Sequence, residues 1–166
     1  MMKKIRNPWI PLLDEGYNCF ACAPTNPKGL KMEFWEDGDE LVSLWRPTPD
    51  YEGWLGTLHG GIQSTLIDEI GGWWIGRKKQ LSAMTTKLNV KFMKPVSSKP
   101  EDEIELRCRL KEEKRTFVTM QVTLSQHGEV RTEGELTYYC FSRAMSDGAF
   151  KFQPFLLEEE CNDSEA

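Results

Sequence analysis

Between Gly61 and Lys79 the chain carries a helical pattern that is apolar around much of its circumference. Ile62, Leu66, Ile70 and Trp73 fall on one stripe at helical spacing, while Ile67, Trp74 and Ile75 lie off it. Such a helix has to be covered on several sides. It closes on Arg77-Lys78-Lys79, cations that suit the negative end of the helix dipole. Every other strong pattern has a period of two. Leu30, Met32 and Phe34 alternate with Lys31 and Glu33. Val42 and Leu44 follow a hairpin signal at Asp37-Gly38-Asp39. After the helix come Leu88/Val90/Phe92, then Ile104/Leu106/Cys108/Leu110, Val118/Met120/Val122/Leu124 and Val130/Leu136/Tyr138/Cys140, each alternating with polar residues. This predicts an antiparallel sheet with one wet face. The order is strand, strand, helix, four strands, an α+β architecture in which a six-stranded sheet wraps the central helix. Two sheet edges stay open, and open edges invite a second copy of the chain.

The flanks differ from this body. Residues 1–28 show no period and read as an extended arm with turns, including Asn26-Pro27-Lys28-Gly29. The patterned domain covers 29–145. In the tail, 146–166, Phe150, Phe152 and Phe155 can pack back, and the acidic end from Glu158 to Ala166 is expected to be disordered.

Composition narrows the function. A net charge of −5 argues against a nucleic-acid surface, which needs a basic face. No segment is long and apolar enough to span a membrane. The start, Met1 to Arg6, has the charge of a signal n-region, but the apolar stretch Trp9 to Leu13 is too short and holds Pro11. The expectation is a cytoplasmic protein with reduced thiols. The five cysteines are an odd count. Cys19 and Cys22 form a C-x-x-C pair with no second pair or nearby histidine, so we read them as small buried residues and expect no metal site.

Chemistry concentrates in the stretch from Gly56 to Glu69. His59, Gly60 and Gly61 stand where a helix N-terminus offers free backbone N–H groups able to hold a developing oxyanion. With Ile62 at zero and about 100° per residue, Asp68 falls at about 240°, among Ser64, Gly71, Gly72 and Ile75. Its flank is thus lined by small residues, and two adjacent mid-helix glycines imply a close approach there. Glu69 lies nearer the apolar stripe. No G-x-S-x-G elbow is present, and the other histidine, His127, sits in a turn, so a Ser-His-Asp triad is unsupported.

The His-Gly-Gly turn with an acid nine residues on resembles the signature of hotdog-fold acyl-CoA thioesterases of the PaaI-like group. Cys19-Phe20-Ala21-Cys22, Asn26-Pro27-Lys28-Gly29-Leu30 and Asn89 to Pro95 resemble further segments of that group, so the likeness runs over roughly residues 19–143. It implies the hotdog fold, a homodimer or homotetramer with active sites at the subunit interface, and hydrolysis of acyl-CoA to free acid and CoA. Asp68 would be the general base or nucleophile. The backbone of Gly60 and Gly61 would polarise the carbonyl, His59 would shape the turn, and Thr85, from the partner subunit, would place the water. No cofactor is implied beyond the CoA of the substrate. Several relatives carry an Asn six residues before the His, where this chain has Gly53. Further candidates for substrate contact are Trp54, Glu69 and Trp73, and Lys87, Lys91 and Lys94, with Arg77, Lys78 and Lys79, could meet CoA phosphates. Core packing explains the tryptophans equally well, and a solvated face explains the lysines. The alternatives are a non-catalytic hotdog dimer that binds acyl-CoA or serves as a scaffold, and a hotdog dehydratase, whose catalytic His arrangement is not found.

Overall fold

The computed structural model describes residues 1–162. In chain order its elements are β1 (Lys3–Lys4), β2 (Trp35–Asp37), β3 (Glu40–Trp45), β4 (Glu52–Trp54), β5 (Thr57–Leu58), α1 (Gly60–Lys79), β6 (Ala83–Phe92), β7 (Ile104–Lys114), β8 (Phe117–Gln126), β9 (Glu129–Cys140), α2 (Arg143–Asp147) and α3 (Glu158–Asn162). Two 3-10 turns, Ile10–Glu15 and Pro49–Tyr51, complete the list. The main sheet runs β1-β2-β3-β7-β8-β9-β6, with every neighbouring pair antiparallel. This is the hotdog fold: α1 lies across β3, β6, β7, β8 and β9.

The period-two segments after the helix are strands because their alternate side chains enter one core. Ile104, Leu106 and Cys108 of β7, Met120, Val122 and Leu124 of β8, and Leu136 of β9 are fully buried. The turn at His127-Gly128 takes positive φ at both residues, 55° and 73°, the twist that suits a two-residue hairpin.

The helix is buried on more than its sheet side. Leu66, Ile67, Ile70 and Ile75 have no exposed surface. On the side away from the sheet, Trp73 stacks on Phe34 at 4.1 Å and meets the edge of Phe155 at 5.2 Å. The arm and the tail therefore form part of the core. Ile5 is buried and bridges to Leu157, and Ala21 and Cys22 are buried beside them.

Three expectations change. The sheet has seven strands, because β1 from the arm adds one beyond β2, and a separate pair, β4–β5, precedes α1. The alternating stretch 30–34 buries Leu30, Met32 and Phe34 as expected but joins no ladder. Its Leu30 and Met32 amides bond instead to Phe20 and Ala21 carbonyls at 2.8 and 2.9 Å, and Lys31 takes φ 54°. The acidic end forms α3 up to Asn162 where disorder was expected; residues 163–166 lie outside the described residues.

Gly134 of β9 marks a close contact between helix and sheet. A Cβ there would lie 2.4 Å from Ile67 Cγ2. Gly134→Ala is expected to cost about 1–3 kcal/mol, read as a lower midpoint in chemical denaturation with an unchanged slope.

Candidate active site

The start of α1 is closed by His59. Its backbone is extended (φ −60°, ψ 135°) and its Nδ1 accepts the Gly61 N–H at 2.8 Å. The Gly61 amide is thereby engaged, while the Gly60 N–H has no hydrogen-bond partner among the described residues. The ring of Phe92 lies over Gly60, 3.3 Å from where a Cβ would stand. A buried polar pair pins this end of the helix: Gln63 donates to the Leu58 carbonyl at 3.2 Å and accepts from Thr132 Oγ1 at 2.5 Å.

Two turns along, half-buried Asp68 faces the sheet. Its Oδ1 accepts from Thr85 Oγ1 at 2.8 Å and from the Tyr138 hydroxyl at 3.1 Å. That hydroxyl also lies 2.5 Å from the Asp68 carbonyl oxygen. Asp68 Oδ2 accepts no hydrogen bond among the described residues. Thr85 and Tyr138 are cross-strand neighbours in the β6–β9 ladder, and the register slips by one residue directly after Thr85. A bulge of this kind re-aims a side chain. Here the aimed Thr85 reaches Asp68 of its own chain, in place of the partner contact expected. Burial first, and then the Asp68 carboxylate beside it, pushes the Tyr138 pKa well up, so its hydroxyl stays a proton donor.

The paired glycines of α1 now have reasons. A Cβ on Gly71 would lie 2.5 Å from the Tyr138 hydroxyl, so its absence lets Tyr138 reach Asp68. Gly72 has open space beside it and lines a cavity of about 300 Å³ with Trp9, Glu69, Trp73, Phe152 and Phe155. Of the substrate candidates, Glu69 and Trp73 thus meet in one aromatic cavity. Glu69 accepts from Trp73 Nε1 at 3.1 Å and from the Cys19 thiol at 3.6 Å. Burial, with Cys19 next in importance, raises its pKa to about 7. Cys19 itself is pulled down to about 6, chiefly by its hydrogen bond with Cys22.

The remaining candidates lie apart. Trp54 is 83% exposed on β4. Gly53 packs beside His59, with 3.3 Å from its would-be Cβ to His59 Cα. Lys94 is paired with Glu129, Arg77 and Lys78 with Glu36, and Lys79 with Glu113. Lys87 and Lys91 carry no salt bridge among the described residues. Tyr138 was missed: it entered the sequence reading as one more inward residue of the last strand. The signal was available, since a tyrosine on a core-facing position needs a polar partner for its hydroxyl.

Residues 55–132 match the family model of the thioesterase superfamily. The uncharacterized protein YtoI of Bacillus subtilis (strain 168) is 26% identical over 117 residues, 70% of this chain and 26% of the relative, so the chain spans about a quarter of that protein's length. Thioesterase HI1161 of Haemophilus influenzae superposes with a TM-score of 0.64 at 18% identity, over 73% of this chain and 85% of the other. For smu.793 of Streptococcus mutans UA159, solved bound to acetyl CoA, the values are 0.60, 17%, 67% and 89%. For thioesterase superfamily member 2 of Mus musculus they are 0.58, 22%, 66% and 83%. At such identities the solved structures establish the fold.

Gly71→Ala should displace the Tyr138 ring and cost about 1–3 kcal/mol of stability. In the Tyr138→Phe background the same substitution should cost less, because the clashing hydroxyl is gone. A double-mutant denaturation cycle reads the coupling, expected at about 0.5–3 kcal/mol, and additivity would show that the two residues do not touch.

Proposed function

From a hotdog fold whose residues 55–132 match the thioesterase superfamily, we propose that this protein hydrolyses acyl-CoA thioesters, in the manner of the PaaI-like group. The observation that carries the reading is Asp68: a half-buried carboxylate with one oxygen held by Thr85 and Tyr138 and the other unengaged among the described residues. A positioned carboxylate of this kind suits a general base. In the reaction, Asp68 Oδ2 takes a proton from water as its oxygen adds to the thioester carbon. The carbonyl oxygen becomes an oxyanion, the C–S bond then breaks, and CoA leaves as its thiol with the proton returned. Thr85 and Tyr138 hold the carboxylate in place through the cycle. The CoA carrier is further supported by the acetyl CoA bound to smu.793.

The oxyanion donor has to come from elsewhere. Gly60 and Asp68 are eight residues apart on one helix, a rise of about 12 Å. A carbonyl about 3 Å from the Gly60 N–H is out of reach of a water on the same chain's Asp68. A complete site therefore joins Asp68, Thr85 and Tyr138 of one protomer to the helix start of a second. The edge strand β6 supports such pairing. Among the described residues it has an unpaired edge ten residues long, and it leaves Met84, Leu88 and Phe92 54%, 36% and 53% exposed, although its alternation predicts an inward apolar face. A second copy would cover both. No helix among the described residues is long and apolar enough to cross a membrane. Gly53, where several relatives carry an Asn, is the feature that favours a second reading, a dimer that binds acyl-CoA without turning it over.

Release of CoA thiol from a panel of short, long and aromatic acyl-CoAs tests the reaction. Asp68→Asn should lose activity by a factor of about 10² to 10⁴, and Tyr138→Phe and Thr85→Ala should each lose a smaller part. Binding without turnover by the wild type would establish the second reading instead. The shared site is tested by mixing Asp68→Asn with Gly60→Pro, a change that removes the N–H at a helix position where Pro is tolerated. Each variant alone should be inactive. Subunits exchanged in equal amounts should regain about a quarter of wild-type activity, since half of the dimers are mixed and each holds one intact site. No recovery from mixed, folded dimers would overturn the composite site.

A further inference from the structure

We propose that Cys19, Cys22 and Glu69 form a binding site for a thiophilic divalent cation, zinc above all, that fastens the N-terminal arm to the central helix. The three side chains offer ligand atoms that all lie within 4.8 Å of one another. A tetrahedral zinc, with Zn–S of about 2.3 Å and Zn–O of about 2.0 Å, sets ligand separations of roughly 3.3–3.8 Å. The cluster is therefore within about an ångström of coordinating distance, which side-chain rotation can supply. In the sequence the C-x-x-C pair lacked partners because the third ligand lies about fifty residues away, on a different element.

Three further observations favour a cation over chance packing. First, the donor set is two thiols and a carboxylate, with no lysine or arginine hydrogen-bonded to them among the described residues. Thiolates select soft cations such as zinc over hard ones, and no protein cation among the described residues competes for the place. Second, each prospective ligand is already oriented by an outer donor, as ligands of bound metals commonly are. Cys19 Sγ accepts the Cys22 N–H at 3.4 Å, and Glu69 Oε1 accepts Trp73 Nε1–H at 3.1 Å. Cys22 Sγ lies 3.1 Å from the Tyr17 hydroxyl, which in turn accepts from Asn7 Nδ2 at 3.1 Å and so has its own proton to give to the sulfur. Third, the cluster is reachable. Cys22 lines a cavity of about 410 Å³ bordered by Ile5, Asn7 and Met32, and Glu69 lines the aromatic cavity beside α1.

Binding would replace the thiol protons of Cys19 and Cys22, released to solvent, with two sulfur–metal bonds, and Glu69 would supply the oxygen. The fourth position would fall to water. The cation would tie the turn at 19–22 to the middle of α1, one residue from Asp68, and so hold the arm against the core.

The test uses the full chain, purified under reducing conditions and stripped with a chelator. Cobalt(II) should give a thiolate-to-metal charge-transfer absorption that saturates at one ion per chain, and zinc should displace it and raise the melting temperature. Cys19→Ser and Cys22→Ser should abolish both signals. Glu69→Gln, nearly the same in shape, should weaken zinc binding by about tenfold or more while keeping the folded circular-dichroism spectrum. Reduced wild type that shows no cobalt band and no zinc-dependent melting shift would overturn the proposal. Binding unchanged in Cys19→Ser, or equal in Glu69→Gln and wild type, would also overturn this ligand set.

Discussion

The structure depends on the burial of α1. A helix that carries Leu66, Ile67, Ile70, Trp73, Trp74 and Ile75 has too much apolar surface for one sheet face to cover. At about 25 cal/mol per Å² of apolar surface removed from water, each such side chain contributes about 1.5–3 kcal/mol, so covering the second face is strongly favoured. The antiparallel sheet takes one side. The arm, through Ile5 and Cys22, the stretch 30–34, through Phe34, and the tail, through Phe155, take much of the rest. The arm and tail are therefore structural partners of the helix rather than appendages.

Burying a helix so completely raises the cost of every polar group on it, and these groups locate the chemistry. A buried polar group without a partner costs about 1–3 kcal/mol. The chain answers at three levels of α1. Gln63 is held by Thr132 and Leu58, Asp68 by Thr85 and Tyr138, and Glu69 by Trp73 and Cys19. The first is a fully buried, closed pair. The second leaves one carboxylate oxygen unengaged, among the described residues, at the open edge of the sheet. The third draws in a C-x-x-C turn. Position on one helix thus separates a structural clamp, a candidate base and a candidate cation site by only a few residues.

The exposed edge of β6 follows from the same geometry. Its bulge turns Thr85 onto Asp68, while the rest of the strand keeps its apolar side chains outward in a single chain. The β6 edge, ten residues long and unpaired among the described residues, lies beside the candidate base.

Much of this was legible in the amino-acid order. The period of two in β7, β8 and β9, the all-round apolar pattern of α1 and the glycine-rich start after His59 are local, and local periodicity is what a sequence displays directly. Asp68 stood out because helical spacing alone puts it on a flank of small residues. The rest needed three dimensions. Tyr138 and Thr85 reach Asp68 only because β6 and β9 pair in one register with one bulge. Gly71 is explained by a ring 67 residues away. Leu30 to Phe34 alternate like a strand but give their hydrogen bonds to the arm. Cys19 and Cys22 gain Glu69 only when the arm folds onto the helix. The sequence determined which segments must be buried, since that depends on side-chain type and period. The tertiary structure decided which polar groups those segments bring together, since that depends on register and on contacts between residues far apart in the chain.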